Sequence, residues 1–239
     1  MSPATLVPGY PMSTTRMANT THMAPDGRRT DYPLGQEIAH AVTHGAGALL
    51  GVVALVLLVW RGVQAQDPWR IVAGAVYGSS LILLFSASSL YHALRPGRAK
   101  QVFQALDHAA IYFLIAGTYT PFALVTLRGP WGWSLLGIVW ALAAGGIVFE
   151  VLVRRRFLRR LSLVLYLALG WLAVIVAVPL VRHLPAPGPL LLLIGGIFYS
   201  GGAGFYAARG LAWNHAIWHL FVLAAAAFHF FCVYICVMG

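Results

Sequence analysis

Charge is what this chain has least of. Only six of its 239 residues are Asp or Glu, and charged residues of both signs together make up 9%. A soluble domain of ordinary composition carries about 25% charged residues. With 60% hydrophobic residues there is too little polar surface to cover a water-soluble globule, so the fold class expected is an all-α integral membrane protein. Cysteine is nearly missing too. Cys232 and Cys236 lie four apart in one apolar run, cannot staple distant segments, and read as small hydrophobes. A disulfide scaffold is thereby excluded. The net charge of +10 is no sign of nucleic-acid binding, because the basic residues lie in short segments between apolar runs and form no aromatic-laced basic face.

What is present is long hydrophobic runs. Seven are expected, at 39–60, 70–92, 105–127, 131–153, 161–182, 189–208 and 215–237. Each holds about 20–23 residues, enough for a helix to cross a ~30 Å hydrocarbon core at 1.5 Å per residue. Residues 1–35, rich in Ser, Thr, Pro and Met, are expected to form a disordered tail, and 36–239 the seven-helix domain. The tail has no apolar core after a basic start and does not read as a signal peptide. Short connections make sequence neighbours antiparallel. Gly47/Gly51 and Gly74/Gly78 are GxxxG pairs suited to close helix packing. Pro121 is expected to kink the third span, with Thr118 satisfying freed backbone groups.

Lys and Arg set the orientation. Arg16, Arg28, Arg29, Arg95, Arg98, Lys100, Arg154, Arg155, Arg156, Arg159, Arg160 and Arg209 fall on one side, against Arg61, Arg70, Arg128 and Arg182 on the other. Twelve against four puts the N-terminus in the cytosol and the C-terminus outside. The Arg154–Arg160 loop can also touch anionic lipid. Trp60, Trp69, Trp131, Trp133 and Trp213 suit the two interfaces.

Against this background, ionisable residues at the ends of apolar spans stand out. His92 ends the second span, Asp107 opens the third, and His215 and His219 open the seventh. Alternating helices bring all four to the cytosolic side, and these residues took no part in the charge count. His215 and His219, at i and i+4, project from one helix face. Together with His92 they form a candidate Zn²⁺ site. Asp107 then serves as a fourth ligand or as a general base. Ser88, one turn deeper than His92, is placed to hold Asp107 or a water. Glu37, His40 and His44 lie at the same end of the first span, and His40/His44 repeat the i, i+4 spacing. They are a second shell, a proton path or an alternative site. His108 points about 100° away from Asp107 around its helix and is left out of the site. His229, in mid-span, is expected to hydrogen-bond to a neighbouring helix.

Glu37-Ile-Ala-His-Ala-Val-Thr-His44, Ser88-Ser-Leu-Tyr-His92, the run from Asp107 to Pro121, and His215-Ala-Ile-Trp-His219 resemble the bacterial hemolysin III proteins of the progestin and adipoQ receptor family. The resemblance runs from about residue 36 to the C-terminus. Its wider superfamily includes alkaline ceramidases and shares a Ser-x-x-x-His, Asp, His-x-x-x-His pattern, which maps without departure onto Ser88, His92, Asp107, His215 and His219. The resemblance implies seven helices, a cytosolic N-terminus and intramembrane zinc held by the three histidines. It also implies hydrolysis of a lipid amide or ester in the service of membrane lipid homeostasis, with membrane lipid as the partner. A sensor or regulator with structural zinc, and a cytolytic pore, are the alternatives.

Overall fold

The computed structural model describes residues 32–152, 158–208, 211 and 213–239. The expected tail falls largely outside these residues. So do Arg209 and the Arg154–Arg156 part of the basic loop; nothing is described for the side chains of Arg159 and Arg160.

Every element among the described residues is helical. They are α1 (Leu34–Gln64), α2 (Pro68–Ala93), α3 (Arg98–Pro121), α4 (Pro130–Leu152), α5 (Leu158–Gly170), α6 (Ala177–His183), α7 (Gly188–Ala207) and α8 (Asn214–Cys232). Among the described residues seven spans are long and apolar enough to cross a membrane, as expected. They begin or end a few residues outside the apolar runs because a helix continues past its hydrophobic stretch until a stop signal ends it. At α2 that signal is plain. The Asp67 side chain accepts from the Trp69 N–H at 2.9 Å, and Pro68 occupies the first turn, where a missing N–H costs nothing.

α1 buries one stripe: Glu37, His40, His44, Gly47, Gly51, Ala54, Leu58 and Gly62. Steps of three and four keep that stripe on one face. The opposite face, with Leu49, Leu50, Val53, Val56 and Trp60, is exposed to what would be lipid. The buried stripe changes character along its length, polar at the start and small in the middle.

The small part sets the register of α1 on α2. A Cβ on Gly78 would stand 2.6 Å from the Leu55 Cα, and one on Gly47 2.8 Å from the Phe85 ring. Gly51 faces Ile82 and Gly74 faces Leu58. The GxxxG expectation is met here, as an antiparallel seam in which backbones approach directly. Continued toward the start of α1, that register brings His40 level with His92.

Two spans are less regular than the apolar runs suggest. Beyond Pro121, α3 continues as a π-helical turn, Phe122–Thr126. Thr118 bonds the Leu114 carbonyl at 2.8 Å rather than the carbonyl that Pro121 frees. The fifth span is interrupted by a 3₁₀ segment, Trp171–Val176, between α5 and α6. Pro179 cannot donate back to Ile175, and the Tyr119 hydroxyl enters the ladder. It donates to the Gly170 carbonyl at 2.7 Å and accepts from the Ala173 N–H at 2.7 Å.

Candidate metal centre

Helices α1, α2, α3 and α8 meet at the end of the bundle where α1 begins. Four imidazoles converge there. His40 comes from α1, His92 from α2, and His215 and His219 from α8. Their ring centroids are separated by 4.5 Å (His40–His92), 4.7 Å (His40–His215), 5.0 Å (His40–His219), 5.1 Å (His92–His215), 5.1 Å (His92–His219) and 4.6 Å (His215–His219). Six nearly equal edges describe a rough tetrahedron of rings.

The nitrogens test whether a metal fits. His92 Nε2 and His215 Nε2 stand 3.3 Å apart. Two nitrogens each 2.0–2.1 Å from a tetrahedral zinc are separated by about 3.3 Å. One nitrogen from each of His40, His92 and His215 lies within 4.8 Å of the others, and all three residues are buried. Both nitrogens of His40, and Nδ1 of His215 and His219, are buried without a hydrogen-bond partner among the described residues. Several buried imidazole nitrogens without partners in one cluster are costly unless something binds them. A cluster of neutral nitrogen donors with no thiolate suits zinc or another divalent transition metal.

The expected ligands His92, His215 and His219 are therefore brought together, and His40 joins them. The three rings whose nitrogens approach most closely are His40, His92 and His215. His219 forms the remaining corner, its ring stacked on His44 at 3.6 Å with 12° between planes. His44 also meets Phe85 edge-on at 5.0 Å.

Asp107 and Ser88 are buried beside the cluster. Ser88 faces the Asp107 carboxyl, but its hydroxyl closes no hydrogen bond of normal length. Both line a cavity of about 180 Å³ that His44, His215 and His219 also border. From there it runs between α3, α5, α7 and α8 past Leu114, Leu167, Leu192 and Val222 to His229. His215 and His229 are fourteen residues apart on α8, about 21 Å at the helical rise. The cavity thus reaches from the histidine cluster through roughly two thirds of a ~30 Å hydrocarbon core. At its far end His229 Nε2 meets the Leu192 carbonyl at 3.2 Å, the inter-helix bond expected of it.

Four residues escaped the sequence reading or were undervalued by it. Glu37 is a direct partner of His92: the His92 Nδ1–H donates to Glu37 Oε2 at 2.6 Å. Lys100, counted above only as a topology-setting charge, donates to Glu37 Oε1 at 2.7 Å. Glu150 lies 3.7 Å from His108 Nδ1 and accepts from the Tyr166 hydroxyl at 3.1 Å. His108, left out of the site, borders the same cavity. The available signal was the stripe Glu37, His40, His44, whose steps of three and four share one helix face. An acid at the end of the apolar run before Arg154 was a weaker one.

The sequence profile of the Haemolysin-III related family matches residues 33–230, which contain every residue of this cluster. The chain belongs to that family. It is 49% identical over 198 residues to the Hemolysin-3 of Bacillus cereus, covering 83% of this chain and 90% of that protein. With the Hemolysin-3 homolog of Bacillus subtilis (strain 168) it shares 46% identity over 202 residues, 84% of this chain and 94% of the relative. The human Monocyte to macrophage differentiation factor is 29% identical over 219 residues, 89% of each chain. As a haemolysin-III related protein the chain is an integral membrane protein, and three of its buried histidines, His40, His92 and His215, can hold a metal ion.

Proposed function

We propose that this protein is a zinc-dependent hydrolase of a membrane lipid amide or ester, with the metal held by His92, His215 and His219. The observation that carries the reading is the cavity. It joins a buried nitrogen cluster and a carboxylate at one end to an apolar shaft about 21 Å deep. The apolar lining between Asp107 and His229 suits an acyl chain better than a column of water.

Zinc bound there would polarise a carbonyl oxygen and acidify a water. Asp107, buried on the wall of that cavity, would accept the proton of a water adding to the lipid carbonyl carbon. The bond to the amine or alcohol then breaks, and the leaving group takes the proton from Asp107. Ser88 orients the carboxylate or donates to the developing oxyanion. The lipid tail lies along α8 throughout, which fixes the carbonyl at the polar end of the cavity. The excess of Lys and Arg beside the histidine end supports a cytosolic N-terminus and site, a C-terminus outside, and residence in the bacterial plasma membrane.

His40 favours a second reading. A fourth imidazole completing the tetrahedron would close the coordination sphere, as structural zinc sites do, and leave a sensor or regulator whose helix ends the metal clamps together. Purified protein incubated with ceramides, N-acyl lipids and lysolipids separates the two. Release of fatty acid that disappears on metal stripping is the result expected of the hydrolase. No release above the stripped control moves the regulator ahead.

A further inference from the structure

The imidazole of His92 has two nitrogens, and only one can face the cluster. The side chain that settles which is Glu37. It takes the Nδ1–H at 2.6 Å and leaves Nε2, 3.3 Å from His215 Nε2, with its lone pair inward. Among the described residues, no other ring of the four has a carboxylate partner. Glu37 is itself held. Lys100 Nζ donates to its other oxygen at 2.7 Å and to the Leu94 carbonyl at 3.2 Å, and lies 5.3 Å from the centroid of the Tyr91 ring. Glu37, His92 and Lys100 are all buried, so this is no solvent-screened surface pair. The contacts span three helix ends: Glu37 near the start of α1, Leu94 just past α2, Lys100 in the first turn of α3.

We propose that Glu37, clamped by Lys100, is the positioning residue of the metal centre, holding His92 in the tautomer and orientation that bind the ion. The assignment rests on the metal reading above. A carboxylate behind a ligating histidine fixes the ring and raises its basicity, and losing such a partner costs 10–100-fold in metal affinity in other proteins. Lys100 does two jobs here. It neutralises a carboxylate that would otherwise be buried with one partner, and by occupying Oε1 it holds Oε2 on His92. Charge on α3 is in this way coupled to ligand geometry on α2.

The test uses the full chain in detergent, stripped of metal and titrated with zinc against a chromophoric chelator. Glu37→Gln and Lys100→Met are each expected to bind zinc about 10–100-fold more weakly than wild type. Arg98→Gln, a change of the same charge on an exposed neighbour, is expected to bind as wild type does. Cobalt(II) in place of zinc supplies a readout that a purely structural role would leave alone. Its visible bands should shift in Glu37→Gln and stay unchanged in Arg98→Gln. If either single variant fails to fold, Glu37→Gln/Lys100→Met, which removes both buried charges together, carries the measurement. Wild-type affinity and an unshifted cobalt spectrum in the folded Glu37 variants overturn this proposal alone. A wild-type chain that binds no zinc overturns the metal reading and this proposal with it.

Discussion

The histidine pairs of α1 and α8 are the same motif used twice. His40/His44 and His215/His219 each lie one turn apart at the same end of the bundle, and all four rings are buried. In both pairs the first ring faces His92 and the second meets its counterpart, His44 stacking on His219 at 3.6 Å. The difference is in what lies around them. Both rings of the α8 pair border the apolar cavity together with Asp107, whereas on α1 only His44 does. His40 has Tyr32 edge-on at 4.9 Å and His92 beside it, with Glu37 one turn earlier on its own helix. Equal spacing therefore leads to unequal surroundings. Both α8 rings line the cavity, whereas on α1 His44 lines it and His40 joins His92 and His215 in the closest approach of nitrogens.

Four measurements press on that comparison. The largest effect is expected from His215→Ala and His219→Ala, each of which should abolish stoichiometric zinc in elemental analysis of purified protein. His40→Ala and His44→Ala should keep it. Full zinc in His219→Ala with loss in His40→Ala would transfer the third ligand to α1, and loss in both would favour the closed site.

Next in size is Asp107→Asn, which preserves shape and removes the base. It should retain zinc and thermal stability while fatty-acid release falls by about 10²–10⁴-fold, the usual worth of general-base catalysis. Loss of zinc instead would make Asp107 a ligand.

A smaller effect is expected from the seam that sets the register of the α1 pair. Gly78→Val drives a side chain into the Leu55 backbone, and overpacking of this kind costs about 1–3 kcal/mol. A lowered thermal midpoint accompanied by weaker zinc binding would show that the seam delivers Glu37 to His92. A lowered midpoint with unchanged zinc would leave α8 and α2 as sufficient. The smallest effect belongs to topology. A reporter fused after Gly239 should read as external without changing activity, and a cytosolic reading would reverse the orientation of the site.

Much of this was legible without coordinates. Hydropathy alone predicts seven spans, because lipid leaves the backbone no option but helices, and seven are observed. The GxxxG pairs announce the α1–α2 seam, since only glycine lets backbones touch there. The gathering of His92, Asp107, His215 and His219 at one end follows from alternation. The break in the fifth span was hidden, because the partner of its freed groups is Tyr119, some fifty residues earlier. Lys100 was hidden for a related reason. A lysine at a span end serves topology in most cases, and nothing local shows that a carboxylate sixty-three positions away lies within 2.7 Å.

Composition and periodicity determined which solvent the chain meets, how many times it crosses, and which end of each helix is polar. These are properties of single helices in lipid, and each helix carries them alone. Which histidines face one another, which carboxylate stands behind which ring, and where the apolar shaft opens were decided only by tertiary structure. Those outcomes depend on the rotation and depth of one helix against another. A 3.6-residue period constrains that rotation to a face, and it takes packing, glycine against backbone and Tyr119 against a broken helix, to choose the partner.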